Sequence, residues 1–319
     1  MSFVESECLK NRYPDFFLVG AMKTGTTSIY NVLKKHPCVF CSPIKEPNYY
    51  CTDISELVKE KGGQWNITPI QSQYDLLNAI RRGSICEHIV NKDVYLSLFE
   101  NARNDQFAGE FSVAYMRSAS SASEISKDCP NARIIMVLRN PIDRAFSDFS
   151  MALMLGLESC DFSEMVTENL SLPEPSRYLS DGLYYEQVKR YLDVFPREQV
   201  LILLQEELRQ DFSKSIAKVL QHIGAVPVDG DVQNPKSFEG KAARFPVINR
   251  LMYKSGLKRI ISAALPKSLV FYGKSLFYKK KPQNDCISES DRILLSSFYK
   301  KDLNQLCDLI DRDLSYWLS

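Results

Sequence analysis

No apolar run in the 319 residues approaches the ~18 needed to cross a bilayer, so no membrane-spanning segment is expected. The first residues, Met1-Ser-Phe-Val-Glu-Ser-Glu-Cys8, lack the basic-then-apolar order of a signal peptide. The expected location is therefore the cytoplasm. An excess of one charge is missing too: 40 Lys and Arg face 39 Asp and Glu, a net of +1. That balance speaks against a body built to bind a polyanion, and no nucleic-acid-binding module is recognisable. Histidine is scarce, with only His36, His88 and His222. The nine cysteines are scattered, and the close pair Cys38-x-x-Cys41 has no second pair to complete a zinc site. They read as reduced thiols, and no metal site is expected. No repeat, low-complexity segment or Gly/Pro/Ser-rich linker divides the chain, which reads as one domain over residues 1–319.

What is present is an alternation of strands and helices. Apolar runs place strands at about 15–19, 38–41, 107–111, 132–138 and 199–204. Helical patterns fall at about 26–36, 70–82, 93–101, 118–128, 141–156, 161–169, 181–195, 211–223, 245–255 and 289–316. Such alternation predicts an α/β fold, a mostly parallel sheet with helices on both faces. In the last helix the apolar stripe is read at 294, 298, 302–303, 306, 309–310, 314 and 317.

The first strand, Phe16-Phe17-Leu18-Val19, runs into Gly20-Ala-Met-Lys23-Thr24-Gly25-Thr26-Thr27. A Walker A loop needs G-x-x-x-x-G-K-[ST]. Here the glycine spacing is kept, but Thr26 follows the second glycine and the lysine stands earlier, at Lys23. A glycine turn entering a helix still aims N–H groups at an anion. The lysine that grips a nucleoside triphosphate is gone. In nucleotide hydrolases a neighbouring strand often ends in a magnesium-binding aspartate. Here the strand Ala132-Arg-Ile-Ile-Met-Val-Leu138 ends in Arg139, and Asn140-Pro141 opens a helix carrying Arg144 and Ser147. Both changes point away from Mg-ATP chemistry and toward two separate anion pockets.

Lys23-Thr-Gly-Thr-Thr27 followed by Arg139-Asn-Pro-x-x-Arg144-x-x-Ser147 resembles the sulfotransferases that use 3′-phosphoadenosine 5′-phosphosulfate (PAPS). Further matching segments are Pro43-Ile-Lys45-Glu46-Pro47-Asn-Tyr-Tyr50, Gly109-Glu110-Phe-Ser112-x-x-Tyr115, Gly182-Leu-Tyr-Tyr-Glu-Gln-x-x-Arg190 and Val200-Leu-Ile-Leu-Leu-Gln-Glu206. The resemblance spans about residues 14–250 and is nearest the bacterial and heparan-sulfate-type branch. Residues 251–319 are read as a helical C-terminal region. The resemblance implies a P-loop-NTPase-like sulfotransferase fold with PAPS as cofactor and PAP as product. It implies Lys23, Thr24, Gly25, Thr26 and Thr27 at the 5′-phosphosulfate, and Arg139 and Ser147 at the 3′-phosphate. Lys241 and Arg244, in Gly240-Lys-Ala-Ala-Arg-Phe, resemble a further cofactor loop.

Sulfuryl transfer needs a cation at the leaving oxygen and a base for the acceptor proton. Lys23 takes the first role. Glu46 is the expected base, since its motif resembles the K-E-x-H-F-F segment of the heparan-type branch. It is expected to face the sulfuryl group, with Lys45 and Tyr49 pointing elsewhere. The histidine place of that motif is Asn48. His88 and Glu110 are further candidates, although the lysine that usually follows Glu110 is Phe111. His36 and His222 read as structural. The acceptor expected is a small molecule with a hydroxyl or amine, by analogy a secondary metabolite. A saccharide, a lipid or a carrier-bound acyl chain stays open. From 236 to 281, lysines and arginines interleaved with aromatics face the single acid Glu239. Over 250–281 this suggests weak contact with a membrane or partner, against a plain solvated face. Outside the family, the rivals are a phosphate-loop kinase and a non-catalytic anion-binding protein.

Overall fold

A computed structural model describes residues 12–54, 69–155, 157–227, 241–243, 278–280 and 286–319. The expected helix at 245–255, Arg244 and most of the basic stretch 250–281 lie outside the described residues. In chain order the strands are β1 (Phe16–Gly20), β2 (Val39–Cys41), β3 (Phe107–Glu110), β4 (Arg133–Leu138), β5 (Val200–Leu204), β6 (Lys241–Ala243) and β7 (Tyr278–Lys280). The helices are α1 (Thr26–Leu33), α2 (Gln73–Arg81), α3 (Lys92–Leu96), α4 (Ser121–Asp128), α5 (Pro141–Leu155), α6 (Phe162–Leu170), α7 (Arg177–Ser180), α8 (Tyr184–Val194), α9 (Gln205–Gln210), α10 (Phe212–Ile223) and α11 (Glu289–Ile310). No helix of the described residues is long and apolar enough to cross a membrane.

By its internal contacts the chain divides into two units. The first holds residues 1–139 and 186–235 and contains the expected parallel sheet, in the order β2-β3-β1-β4-β5. The five strands fall where the apolar runs placed them, because a parallel strand covered on both faces must be apolar throughout. Phe16, Leu18, Ile135, Val137 and Leu203 pack on one face against Ile29 and Leu33 of α1 and Ile216, Val219 and Leu220 of α10. On the other, Phe17 meets the rings of Tyr50 and Tyr115. Gly109 makes this packing possible, since a Cβ there would sit 2.0 Å from the ring of Phe16. Helix α10 is bounded as its sequence dictates. The Asp211 side chain accepts from Lys214 N at 2.8 Å at its start, and Gly224 closes it.

The second unit holds residues 140–185 and 236–319. Ile142, Ala145, Phe149 and Ala152 of α5 pack with Phe162, Met165 and Val166 of α6, Leu179 of α7 and Leu295 and Tyr299 of α11. The strands β6 and β7 pair antiparallel, and β6 lies against α5. The stripe of α11 is as expected at Leu303, Leu306 and Ile310, which are buried, and differs at its start, where Leu295 and Tyr299 are buried and Leu294 is exposed. The helix stops at Ile310, before Asp311 in left-handed backbone (φ 53°), where the expected one ran to 316.

Candidate active site

Four adjacent parallel strands deliver the site residues of the first unit to one edge of the sheet. The loop after β2 carries Glu46, β3 ends in Glu110, the loop after β1 carries Lys23, and Arg139 follows β4. These are the carboxyl ends of the strands, where open α/β sheets bind ligands.

The turn from β1 into α1 uses left-handed backbone at Lys23 (φ 70°) and Gly25 (φ 97°). Glycine adopts it without cost, whereas lysine does so only when neighbours hold it there. Two of them do. The carbonyl of Lys23 accepts from Arg139 Nη1 at 2.9 Å and from Gln205 Nε2, at the end of β5, at 3.3 Å. Three strand ends therefore converge on one carbonyl. Thr24 corrects an expectation. It is fully buried and its hydroxyl donates to Ala21 O at 2.8 Å, so that hydroxyl braces the turn from within and is not offered to a ligand. Gly25 and Thr27 are exposed and Thr26 is buried. Among the described residues no side chain caps α1; Ser28 N donates to Gly25 O at 2.9 Å, which leaves the N–H groups of Thr26 and Thr27 to face an anion.

Arg139 is half-buried at the end of β4. Its guanidinium has five N–H donors in a rigid fork, a geometry that suits phosphate oxygens. In the second unit, Asn140 Oδ1 accepts from Ile142 N at 2.9 Å and starts α5, and Asn140 Nδ2 donates to Trp317 O at 2.6 Å. Arg144, fully buried, donates to Tyr178 O and faces Asp148 at 3.6 Å. It fixes α5 to α7, and Ser147 sits half-buried on that anchored helix. Lys241 opens β6, the strand that lies against α5.

The segment carrying Glu46 is pinned by its backbone. Glu46 N donates to Ile85 O at 2.8 Å, and Glu87 N donates to Glu46 O at 2.8 Å. Asn48, at the histidine place, is buried in left-handed backbone (φ 53°). Its Nδ2 donates to Glu46 O (3.1 Å) and Glu87 O (2.8 Å). An amide here ties two segments together, where a histidine could take a proton. Tyr49 stacks on Tyr95 with centroids 4.2 Å apart. Lys45 turns to its neighbour Glu46. Its Nζ lies 2.5 Å from Glu46 Oε1, and the residue is 5% exposed. A buried ammonium needs a counter-charge, and the adjacent carboxylate supplies it.

Glu110 is fully buried, so its carboxylate does not face an acceptor in this conformation. Tyr95 donates to its Oε2 at 2.6 Å. Burial pushes its pKa up to about 7, opposed by the nearby hydroxyls of Ser112, Tyr95 and Tyr115 and assisted by the charge of Glu46. Of the three, Tyr95 makes the hydrogen bond, and Oε1 has no partner among the described residues. His88 is buried beside the Glu46 segment, its carbonyl accepting from Ile70 N. His36 and His222 are structural as read: His36 Nδ1 accepts from Cys38 N, and His222 Nε2 meets the carbonyls of Ile134 and Gln199. Among the described residues no three His, Cys, Asp or Glu side chains group as metal ligands, and the cysteines are free.

The sequence reading missed Gln205, Tyr95 and the structural use of Ser112 and Tyr115. A polar residue directly after an apolar strand marks Gln205 in hindsight. Nothing local marks Tyr95, whose partner lies on another element.

The family model for the sulfotransferase family matches residues 14–229. The chain belongs to the PAPS-dependent sulfotransferase family. Human carbohydrate sulfotransferase 15 is 28% identical over 255 residues, 67% of this chain and 44% of that protein. The human bifunctional heparan sulfate N-deacetylase/N-sulfotransferase 2 is 27% identical over 239 residues, 68% of this chain and 22% of that protein. The chain thus spans less than half the length of these curated relatives. The crystal structure of a sulfotransferase from Alicyclobacillus acidocaldarius matches 97% of this chain and all of that one, at 25% identity and a TM-score of 0.65. The sulfotransferase fold agrees with the sheet order and the placement of the loops.

Proposed function

We propose that the protein transfers a sulfuryl group from PAPS to a hydroxyl or amine of a saccharide acceptor. The observation that carries the reading is the convergence of Lys23, Arg139 and an uncapped helix N-terminus at one sheet edge. That donor set fits a nucleotide with two separate phosphate groups. Lys23 and the first turn of α1, with Thr26 and Thr27, would hold the 5′-phosphosulfate. Arg139, following β4, would meet the 3′-phosphate; the assignment of Ser147, Lys241 and Arg244 to the cofactor rests on the sequence resemblance. PAPS supplies the activated sulfuryl group and leaves as PAP.

Lys23 then neutralises charge growing on the leaving phosphate, the kind of fixed electrostatic help that dominates such transfers. Glu46 takes the acceptor proton, giving up its contact with Lys45 as it does so. His88, beside the same segment, lines the acceptor pocket.

The saccharide reading draws on the two human relatives, which are named for carbohydrate and heparan sulfate chemistry. A second reading, a small uncharged acceptor, draws on Phe111. It stands where the family's lysine is usual and packs in the core against Phe16 and Tyr30, so no cation at that place awaits a polyanion. We place the reaction in the cytoplasm, a reading favoured by the nine unclustered cysteines. The test is incubation with sulfur-labelled PAPS and two acceptor sets, desulfated oligosaccharides and simple hydroxylated or amino compounds. Label on the oligosaccharides supports the first reading and label on the small set alone supports the second. PAP release with neither labelled, and equal in buffer, removes both.

A further inference from the structure

Residues 48, 49 and 50 follow directly on Glu46, and each is held by a different side chain. Asn48 N donates to Ser112 Oγ at 3.0 Å. The ring of Tyr49 stacks on Tyr95. Tyr50 N donates to Tyr115 Oη at 3.2 Å. These three side chains come from the loop after β3, from α3 and from the turn at Val113–Met116. They share one neighbour: Tyr95 donates to Glu110 Oε2 at 2.6 Å, and the hydroxyls of Ser112 and Tyr115 lie near enough to the same carboxylate to favour its charged form.

A hydroxyl has one proton to give and two lone pairs to receive. An ionised carboxylate only accepts, so it turns each proton toward itself. The lone pairs of Ser112 and Tyr115 are then left facing the N–H groups of Asn48 and Tyr50. The segment needs such support because Asn48 sits at φ 53°, a conformation that relaxes unless its surroundings fix it.

We propose that Glu110 is a positioning residue: beneath residues 48–50 it orients Ser112, Tyr115 and Tyr95, and through them it sets the place of Glu46. This rests on the reading of Glu46 as the base. The anchor is ionisable. Burial lifts Glu110 to about 7, and the charge of Glu46 adds to the rise. The other groups near it, Tyr95, Tyr115, Tyr50, Tyr191, Cys51 and Cys129, have their own pKa values raised by burial and stay neutral. As pH falls through about 7, Glu110 gains a proton and must donate it, so one hydroxyl in the cluster reverses.

The experiment has two arms. In the free protein at pH 8, amide hydrogen exchange is followed at Asn48 and Tyr50 in the parent and in Glu110→Gln. Exchange at both amides is expected to quicken at least ten-fold in the variant, while amides of β1 and β4 keep their protection. In turnover, the parent's kcat should fall below about pH 7, and Glu110→Gln should be slower and lack that limb, with KM for PAPS within two-fold. Ser112→Thr should keep most of the rate and Ser112→Ala should not. Unchanged exchange at both amides, or a limb near 7 that survives in Glu110→Gln, overturns the proposal. Should Glu110→Gln not fold, Ser112→Ala and Tyr115→Phe decide in its place. Local loss of protection at Asn48 and Tyr50 respectively supports the anchor, and parental exchange in both overturns it. Glu46→Gln separates the two readings: parental kcat in that variant removes the base assignment, whereas the exchange arm depends on Glu110 alone.

Discussion

Lys45 and Glu46 are neighbours in the chain and an ion pair at 2.5 Å in the fold. The proposed base is therefore in contact with a cation before any acceptor binds. Glu46→Gln keeps shape and most hydrogen bonding but cannot take a proton. Its kcat should fall by roughly 10²-fold or more with PAP affinity near parental, as checked by steady-state kinetics beside calorimetry. A near-parental rate would move the role to His88. Lys23→Ala should lower kcat by ~10²–10³ and raise the KM for PAPS by much less. A change in KM alone would leave Lys23 a binding residue. Glu110 gives a prediction that needs no substrate. Its pKa of about 7 lies above the ordinary carboxylate value, so the fold keeps a proton that the unfolded chain releases. Glu110's contribution to stability should be greatest below the ordinary Glu pKa, decline as pH rises from there to about 7, and level off above. The decline is on the order of 3 kcal/mol. Urea unfolding across that range should show it in the parent and not in Glu110→Gln, and equal slopes in both would contradict the raised pKa.

Elements were read with unequal ease, for physical reasons. The strands stood out because β1, β4 and β5 are almost wholly apolar runs, and α10 because Asp211 and Gly224 mark its ends. In helix α11 the buried stripe was read one position early only at its start: Leu294, Leu295, Phe298 and Tyr299 are apolar pairs, and packing against α5 and α6 selects Leu295 and Tyr299, while Leu303, Leu306 and Ile310 are buried as read. Helices α7 and α9 are four and six residues long, too short for a periodic pattern to register. The phosphate-loop residues were legible because glycine and lysine spacing reports backbone geometry directly. Thr24 was misread because a hydroxyl looks the same whether it faces a ligand or braces its own turn. At this scale the test is Asn140, which caps α5 and holds Trp317. Asn140→Ala loses a cap worth ~1 kcal/mol and a bond to a carbonyl. It should lower the melting temperature by several degrees. Parental stability would show that neither contact matters.

For the whole molecule, one parallel sheet sets the chemistry by bringing loops from neighbouring strands to its carboxyl edge. Composition alone said little of this, since a near-neutral chain with scattered cysteines fits many enzymes. The decisive features were departures from a phosphate-loop kinase: lysine moved to position 23 and arginine in place of aspartate at 139. The same departures predict that turnover persists in EDTA, and strict dependence on Mg²⁺ would return the kinase reading. The central claim is a cofactor site with two anion pockets, and it is testable before any acceptor is known. Calorimetry should compare PAP, AMP and Mg-ATP on the full chain. PAP should bind at least ten-fold more tightly than AMP, a difference of ~1.4 kcal/mol, and that advantage should vanish in Arg139→Ala. Equal affinity for PAP and AMP, or tighter binding of Mg-ATP than of either, would contradict the account.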